Sequence, residues 1–149
     1  MGDIMKENQE LLKVIHDNVK MGINSTTKLL DILKDKDNKI KGVIEDELKK
    51  YEEFLKRCAN FMKRENLSLG EGSVFTQVTT NIIMSIEALK DNSDSKISSI
   101  LIRGFTSGNI DLESKINDYK NEVSEDVLSL AKEVLRFGEK EIDILKSYL

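Results

Sequence analysis

The chain has 149 residues, with 23 Lys and Arg against 27 Asp and Glu, a formal net charge of −4. That acidic balance argues against general nucleic-acid binding, which depends on neutralising phosphates, and against docking on anionic lipid. Proline is absent, aromatic content is 5% and hydrophobic residues make up 39%; their periodic placement indicates one all-helical domain with a core and argues against disorder.

Ile4, Leu11, Leu12, Ile15, Val19, Ile23, Leu29, Leu30 and Leu33 recur at spacings of three and four, predicting a first helix from about Asp3 to Lys34. "DKDN" (Asp35 to Asn38) reads as a turn. A second helix to about Arg64 points Ile40, Ile44, Tyr51, Phe54, Cys58 and Phe61 inward. "NLSLGEGS" (Asn66 to Ser73) is a loop that lacks both phosphate-binding glycine spacings. A short third helix spans about Val74 to Leu89, with Phe75, Val78, Ile82, Ile86 and Leu89 as its stripe. "KDNSDS" then offers Ser93 or Asp94 as the cap of a fourth helix running to about Tyr119. "KNEVS" turns the chain, and Ser124 caps a last helix that runs nearly to the C-terminus.

Gly22, Gly104, Gly108 and Gly138 all fall on predicted inward stripes. Glycine inside a helix costs about 0.5–1 kcal/mol relative to alanine, so these positions point to close helix packing; kinks or ends of shorter helices are the alternative. Laying Gly22 on Gly108 aligns the stripes of the first and fourth helices at constant offset, which suggests a duplicated helical hairpin. The domain divides into hairpin 1 (about 3–64), a crossover containing the short helix (about 66–93) and hairpin 2 (about 94–149).

A duplicated hairpin with a long connection resembles the ferritin-like superfamily, which implies an up-down-down-up four-helix bundle. The phrases "VKMGINSTTKLL" and "SKISSILIRGFTSGNIDLESKI" also resemble small uncharacterised bundle proteins of Gram-positive anaerobic bacteria, a resemblance that brings no activity. Catalytic ferritin-like proteins hold two metals with Glu on two helices and Glu-x-x-His on the other two. This chain has one histidine, and neither "IEDELKKYEEFLKR" nor "RFGEKEIDILK" places a histidine three after a carboxylate. The resemblance therefore implies the scaffold without its di-metal ligands, and no cofactor is expected.

His16, Glu47 and Glu141 lie on or near inward stripes and are the candidates for a reduced metal site; carboxylates at stripe edges with their heads in water are the plainer reading. His16 alone makes a poor transition-metal site. Cys58, the single cysteine, reads as a buried small hydrophobe. The basic pairs Lys49-Lys50, Lys56-Arg57 and Lys63-Arg64 could form a stripe for an acidic partner, but Glu45, Asp46, Glu52 and Glu53 precede the first two pairs by four, the order that favours ion pairs within one helix. Ser25, Thr26, Thr106 and Ser107 at mid-bundle could line a pocket for a small ligand.

Three functions follow as expectations. The first is a non-enzymatic bundle acting through protein contacts, as a homodimer or with an unidentified protein partner. The others are a metal-binding or iron-handling protein with a reduced site, and a small-ligand binder. A lone cysteine, no apolar leader at the start, and no apolar run of membrane-spanning length point to a cytoplasmic protein.

Overall fold

The computed structural model describes residues 4–68 and 76–149, and the side chains of 6–68 and 81–149 among them. The described residues form five helices: α1 (Ile4–Ile32), α2 (Lys41–Arg64), α3 (Thr76–Glu87), α4 (Asp94–Tyr119) and α5 (Glu125–Lys146). Helix boundaries follow local chemistry. The Ser93 hydroxyl accepts from the Lys96 amide at 3.2 Å to start α4, and the Ser124 hydroxyl accepts from the Val127 amide at 3.5 Å to start α5. Of the expected stripe of α3, Ile86 is buried and Ile82 and Leu89 are partly so. Phe75 and the Val78 side chain lie outside the described ones, as does most of the glycine loop.

Paired contacts give the helix directions. Tyr51 packs on Gly22 and the Cys58 thiol reaches the Leu12 carbonyl, so α2 runs antiparallel to α1. Asn18 bonds the Gly108 carbonyl and Tyr119 donates to Glu10, so α4 is antiparallel to α1. Ser98 donates to the Leu145 carbonyl and Asn109 packs on Gly138, setting α5 antiparallel to α4. Arg57 bonds Glu133 while Phe54 meets Phe137, which places α5 antiparallel to α2 as well. The result is a helical bundle with α3 packed on α1 and α4.

Leu11, Leu12, Ile15, Leu29, Leu33, Ile44, Phe54, Ile97, Leu112 and Leu130 are completely or almost completely removed from solvent and form the core. The i,i+4 ion pairs expected along α2 give way to a cross-helix contact. Arg57 turns to Glu133 of α5, and Lys50 meets Glu53 at 3.5 Å. The two Arg57 bonds raise its own pKa and lower that of Glu133. A bidentate guanidinium–carboxylate pair is a stronger geometry than a flexible pair on one helix surface.

All four stripe glycines are buried, and the atoms nearest to them belong to side chains of neighbouring helices. Gly22 seats the ring of Tyr51, Gly108 the amide of Asn18, Gly138 the amide of Asn109 and Gly104 the end of Ile82. Each glycine is a socket for a neighbouring helix's side chain.

The sockets differ in tolerance. A methyl group on Gly22 would drive into the Tyr51 ring, whereas one on Gly104 would stand 3.4 Å from the Ile82 tip, an ordinary contact. Gly22→Ala is therefore expected to lower stability by about 1–3 kcal/mol, as overpacking does. Gly104→Ala should be neutral or stabilising by up to about 1 kcal/mol, the helix-propensity gain. Urea midpoints of the two variants check this; a shift of the same sign in both would contradict the socket reading.

Candidate functional site

The most unusual chemistry lies at mid-bundle on both sides of Tyr51. Ile40, Ile44, Glu47, Tyr51, Phe54 and Cys58 share one helical stripe of α2, and each is nearly or fully buried. The stripe carries Glu47 inside with its neighbours, one turn before Tyr51.

On the α1/α4 side lies a cavity of about 30 Å³, lined by Asn18, Met21, Gly22, Ser25, Thr26, Tyr51, Ile82, Ile100, Leu101, Gly104, Phe105, Gly108 and Asn109. Three of the four socket glycines line it, together with the side chains Tyr51, Asn18 and Ile82 that they seat. Thr26 donates to the Gly22 carbonyl at 2.8 Å, and Asn18 donates to the Gly108 carbonyl at 3.3 Å. The Ser25 hydroxyl is buried and has no partner. A space of this size accepts one or two waters.

Thr106 and Ser107 do not line the cavity: Thr106 is exposed and Ser107 half-buried. Helical geometry is the reason, because inward Gly104 and Gly108 are four apart and Thr106, midway between, falls on the opposite face.

On the α2/α5 side, the carboxyls of Glu47 and Glu141 face each other. Glu47 is 1% exposed and neither of its oxygens reaches the geometry of a full hydrogen bond. Burial, then the bonding and charge of nearby Glu141, hold its pKa far above the usual carboxylate range. Glu141 is half-buried and also raised, chiefly by burial. Tyr51, pushed well above the usual phenol value by burial and then by these two carboxyls, keeps its proton too. The pair is thus a protonated centre inside the bundle at neutral pH.

Aromatic rings wall this centre. Tyr51 stacks with Phe105 at 6.0 Å and meets Phe137 edge-on at 5.3 Å, while Phe137 also packs against Phe54 at 5.6 Å and Phe105 at 5.9 Å. Beyond them a groove of about 400 Å³ opens to solvent, lined by Asp46, Lys50, Phe54, Glu133, Arg136, Phe137, Lys140 and Glu141.

The structure brings Glu47 and Glu141 together but leaves His16 apart. The contacts Leu12–Cys58 and Gly22–Tyr51 set Ser25 near the level of Glu47. His16 lies nine residues earlier on α1, roughly 13 Å away along the axis at 1.5 Å per residue. Its Nδ1 stands 3.2 Å from Asp17. No group of three His, Cys, Asp or Glu side chains suited to a metal occurs among the described residues. Cys58 is buried and its thiol is pushed up to about 12 by that burial; it is the inert small hydrophobe expected from its stripe.

Asn18, Tyr51, Phe105 and Asn109 belong to this centre without having been singled out as site residues. Their signal was position: Asn18 and Tyr51 stand on the inward stripes, where a polar group is unusual.

No family model, curated protein or solved structure matches the chain. Among the described residues, no helix is long and apolar enough to cross a membrane.

The acid pair sets a pH dependence. Folding raises the pKa of Glu47 from about 4.5, so its favourable contribution is complete below that value and is lost as pH rises toward the folded pKa. Glu47→Gln keeps the shape and removes the proton. The variant should gain on the wild type as pH rises from 5 to 8, by up to about 1.4 kcal/mol per pH unit. Urea denaturation at those two pH values checks it; a stability difference that does not change with pH would contradict the assignment.

Proposed function

We propose that the chain is a non-catalytic bundle of the ferritin-like kind, without a di-metal centre, whose interior receives a small, mainly apolar molecule bearing one polar group. Several observations support the scaffold. The helix directions fit an up-down-down-up order with α3 in the crossover, and the offset that lays Gly22 on Gly108 also lays Tyr51 on Phe137, whose rings touch. The observation that carries the ligand reading is the cavity beside Gly22, Gly104 and Gly108, with the buried and unpartnered Ser25 hydroxyl in its wall. Buried polar groups without partners are uncommon in folded proteins, and apolar walls with a few polar groups suit a small ligand.

At about 30 Å³ the cavity is too small for an aromatic molecule. Ile82, whose tip rests on Gly104, is the side chain whose movement enlarges it. Action through protein contacts, as a homodimer or with another partner, draws less support. Among the described residues only Met84, Ile110 and Leu149 are exposed large hydrophobic side chains, and scattered single residues of this kind do not make an interface. The reduced metal reading keeps Glu47 and Glu141 in contact but lacks His16 beside them.

Millimolar phenol tests the ligand reading by thermal unfolding. Phenol should raise the melting temperature of the wild type and raise that of Ile82→Ala further. Ser25→Ala should lose the preference for phenol over toluene, and Gly104→Leu, which fills the space, should lose the response. No phenol stabilisation even in Ile82→Ala would overturn it.

A further inference from the structure

We infer that the seam between α2 and α5 is a binding site for a primary alkylammonium, with its charged nitrogen between the Glu47 and Glu141 carboxyls and its alkyl stem against Phe54 and Phe137. The inference is independent of the α1/α4 cavity. It begins with Glu47, which is 1% exposed and whose oxygens no donor other than the Glu141 acid reaches. Glu141 meets it from the facing helix and also lines the solvent-open groove of about 400 Å³. Glu141 thus stands between the groove and the buried Glu47, and a ligand entering from solvent meets Glu141 first.

The chemistry of the walls selects the ligand. Ionised carboxylates only accept hydrogen bonds, and an ammonium only donates them, with three N–H groups. Aromatic faces attract cations within about 6 Å. The faces here already do so: Lys50 Nζ stands 5.0 Å over the Phe54 ring, and the Arg57 guanidinium carbon 5.9 Å from it. A hard divalent cation instead requires six or more oxygen ligands, while no third metal-ligating side chain joins the pair among the described residues. Aromatic carbon suits an alkyl stem and offers nothing to Mg²⁺ or Mn²⁺.

The groove's own charges largely cancel. Lys50, Arg136 and Lys140 face Asp46, Glu133 and Glu141; Glu133 is held by Arg57 and Lys50 meets Glu53. Glu141 and Tyr51 are the titratable groups that act with Glu47, and Lys140 and Asp46 act on Glu141 in opposite directions. In the free protein the pair holds a proton. The ammonium replaces it, so each molecule bound releases one proton to buffer. Because the ligand stays charged, its apparent affinity must rise with pH.

Calorimetric titration of the full chain with n-butylammonium, in buffers of different ionisation enthalpy between pH 6 and 8, tests this. The expected result is binding that strengthens close to tenfold per pH unit, with one proton released. Glu47→Gln, whose amide replaces a neutral acid of the same shape, should weaken binding at least tenfold and abolish the pH dependence. Glu141→Gln, at the groove, should weaken it as strongly, and Phe137→Leu several-fold; Gly104→Leu should leave it unchanged. Absence of butylammonium binding across this range, or equal binding by Glu47→Gln, would overturn the proposal. So would uptake of Mg²⁺ or Mn²⁺ in preference to butylammonium, lost in Glu47→Gln, which would make the pair a metal site.

Discussion

The ring of Tyr51 seated on Gly22 is the contact on which the centre of this bundle depends. It brings α2 onto α1 at mid-height, and three features follow from that seat. The ring closes one wall of the α1/α4 cavity. Its other contacts, with Phe105 and Phe137, join α2 to α4 and α5. Glu47 lies one helical turn before Tyr51, so seating the ring inside carries the carboxyl inside too. Burying a carboxyl without full hydrogen bonding is costly, and the group answers by keeping its proton. Burial is the largest cause of the raised Glu47 pKa, ahead of Glu141, and Glu47 shares that burial with Tyr51 one turn away.

The glycines explain why the interior is neither uniformly packed nor simply hollow. Each removes a side chain from a helix and admits one from a neighbour. Tyr51 and Ile82 bring apolar groups into their sockets, whereas Asn18 and Asn109 bring amides. The polar groups are thereby drawn into the interior. Their partners are partly backbone, as in the Asn18 bond to the Gly108 carbonyl. At Ser25, which has no partner, and at Glu47, which meets only Glu141, the bundle has buried chemistry that packing alone does not require.

Much of this was legible in the sequence, and the limits have physical causes. Stripe periodicity placed the five helices, and Ser93 and Ser124 cap α4 and α5 because a hydroxyl there satisfies an otherwise free amide. The inward positions of the four glycines followed from the same periodicity. What occupies them did not, because one helix's stripe carries no information about which side chain a neighbour inserts. Arg57 illustrates the same limit: Glu53 was its partner by local spacing, yet the bidentate contact comes from Glu133, far away in sequence. Thr106 and Ser107 were grouped with Ser25 and Thr26 by residue type, and helical phase turned Thr106 outward. His16 was grouped with Glu47 and Glu141 by stripe alone, without regard to height along the bundle. The depth of Glu47 was visible in its spacing from Ile44 and Tyr51, but a carboxylate on a stripe usually reaches water.

The protonation of Glu47 is the most direct test of this account. Carbon-13 NMR titration of the side-chain carboxyl in the unliganded protein reports it without any binding partner. The account predicts that the Glu47 resonance stays at its protonated position through pH 7. A Glu47 resonance that moves to its ionised position near the ordinary carboxylate value of about 4.5 would contradict the buried acid pair and the site built on it.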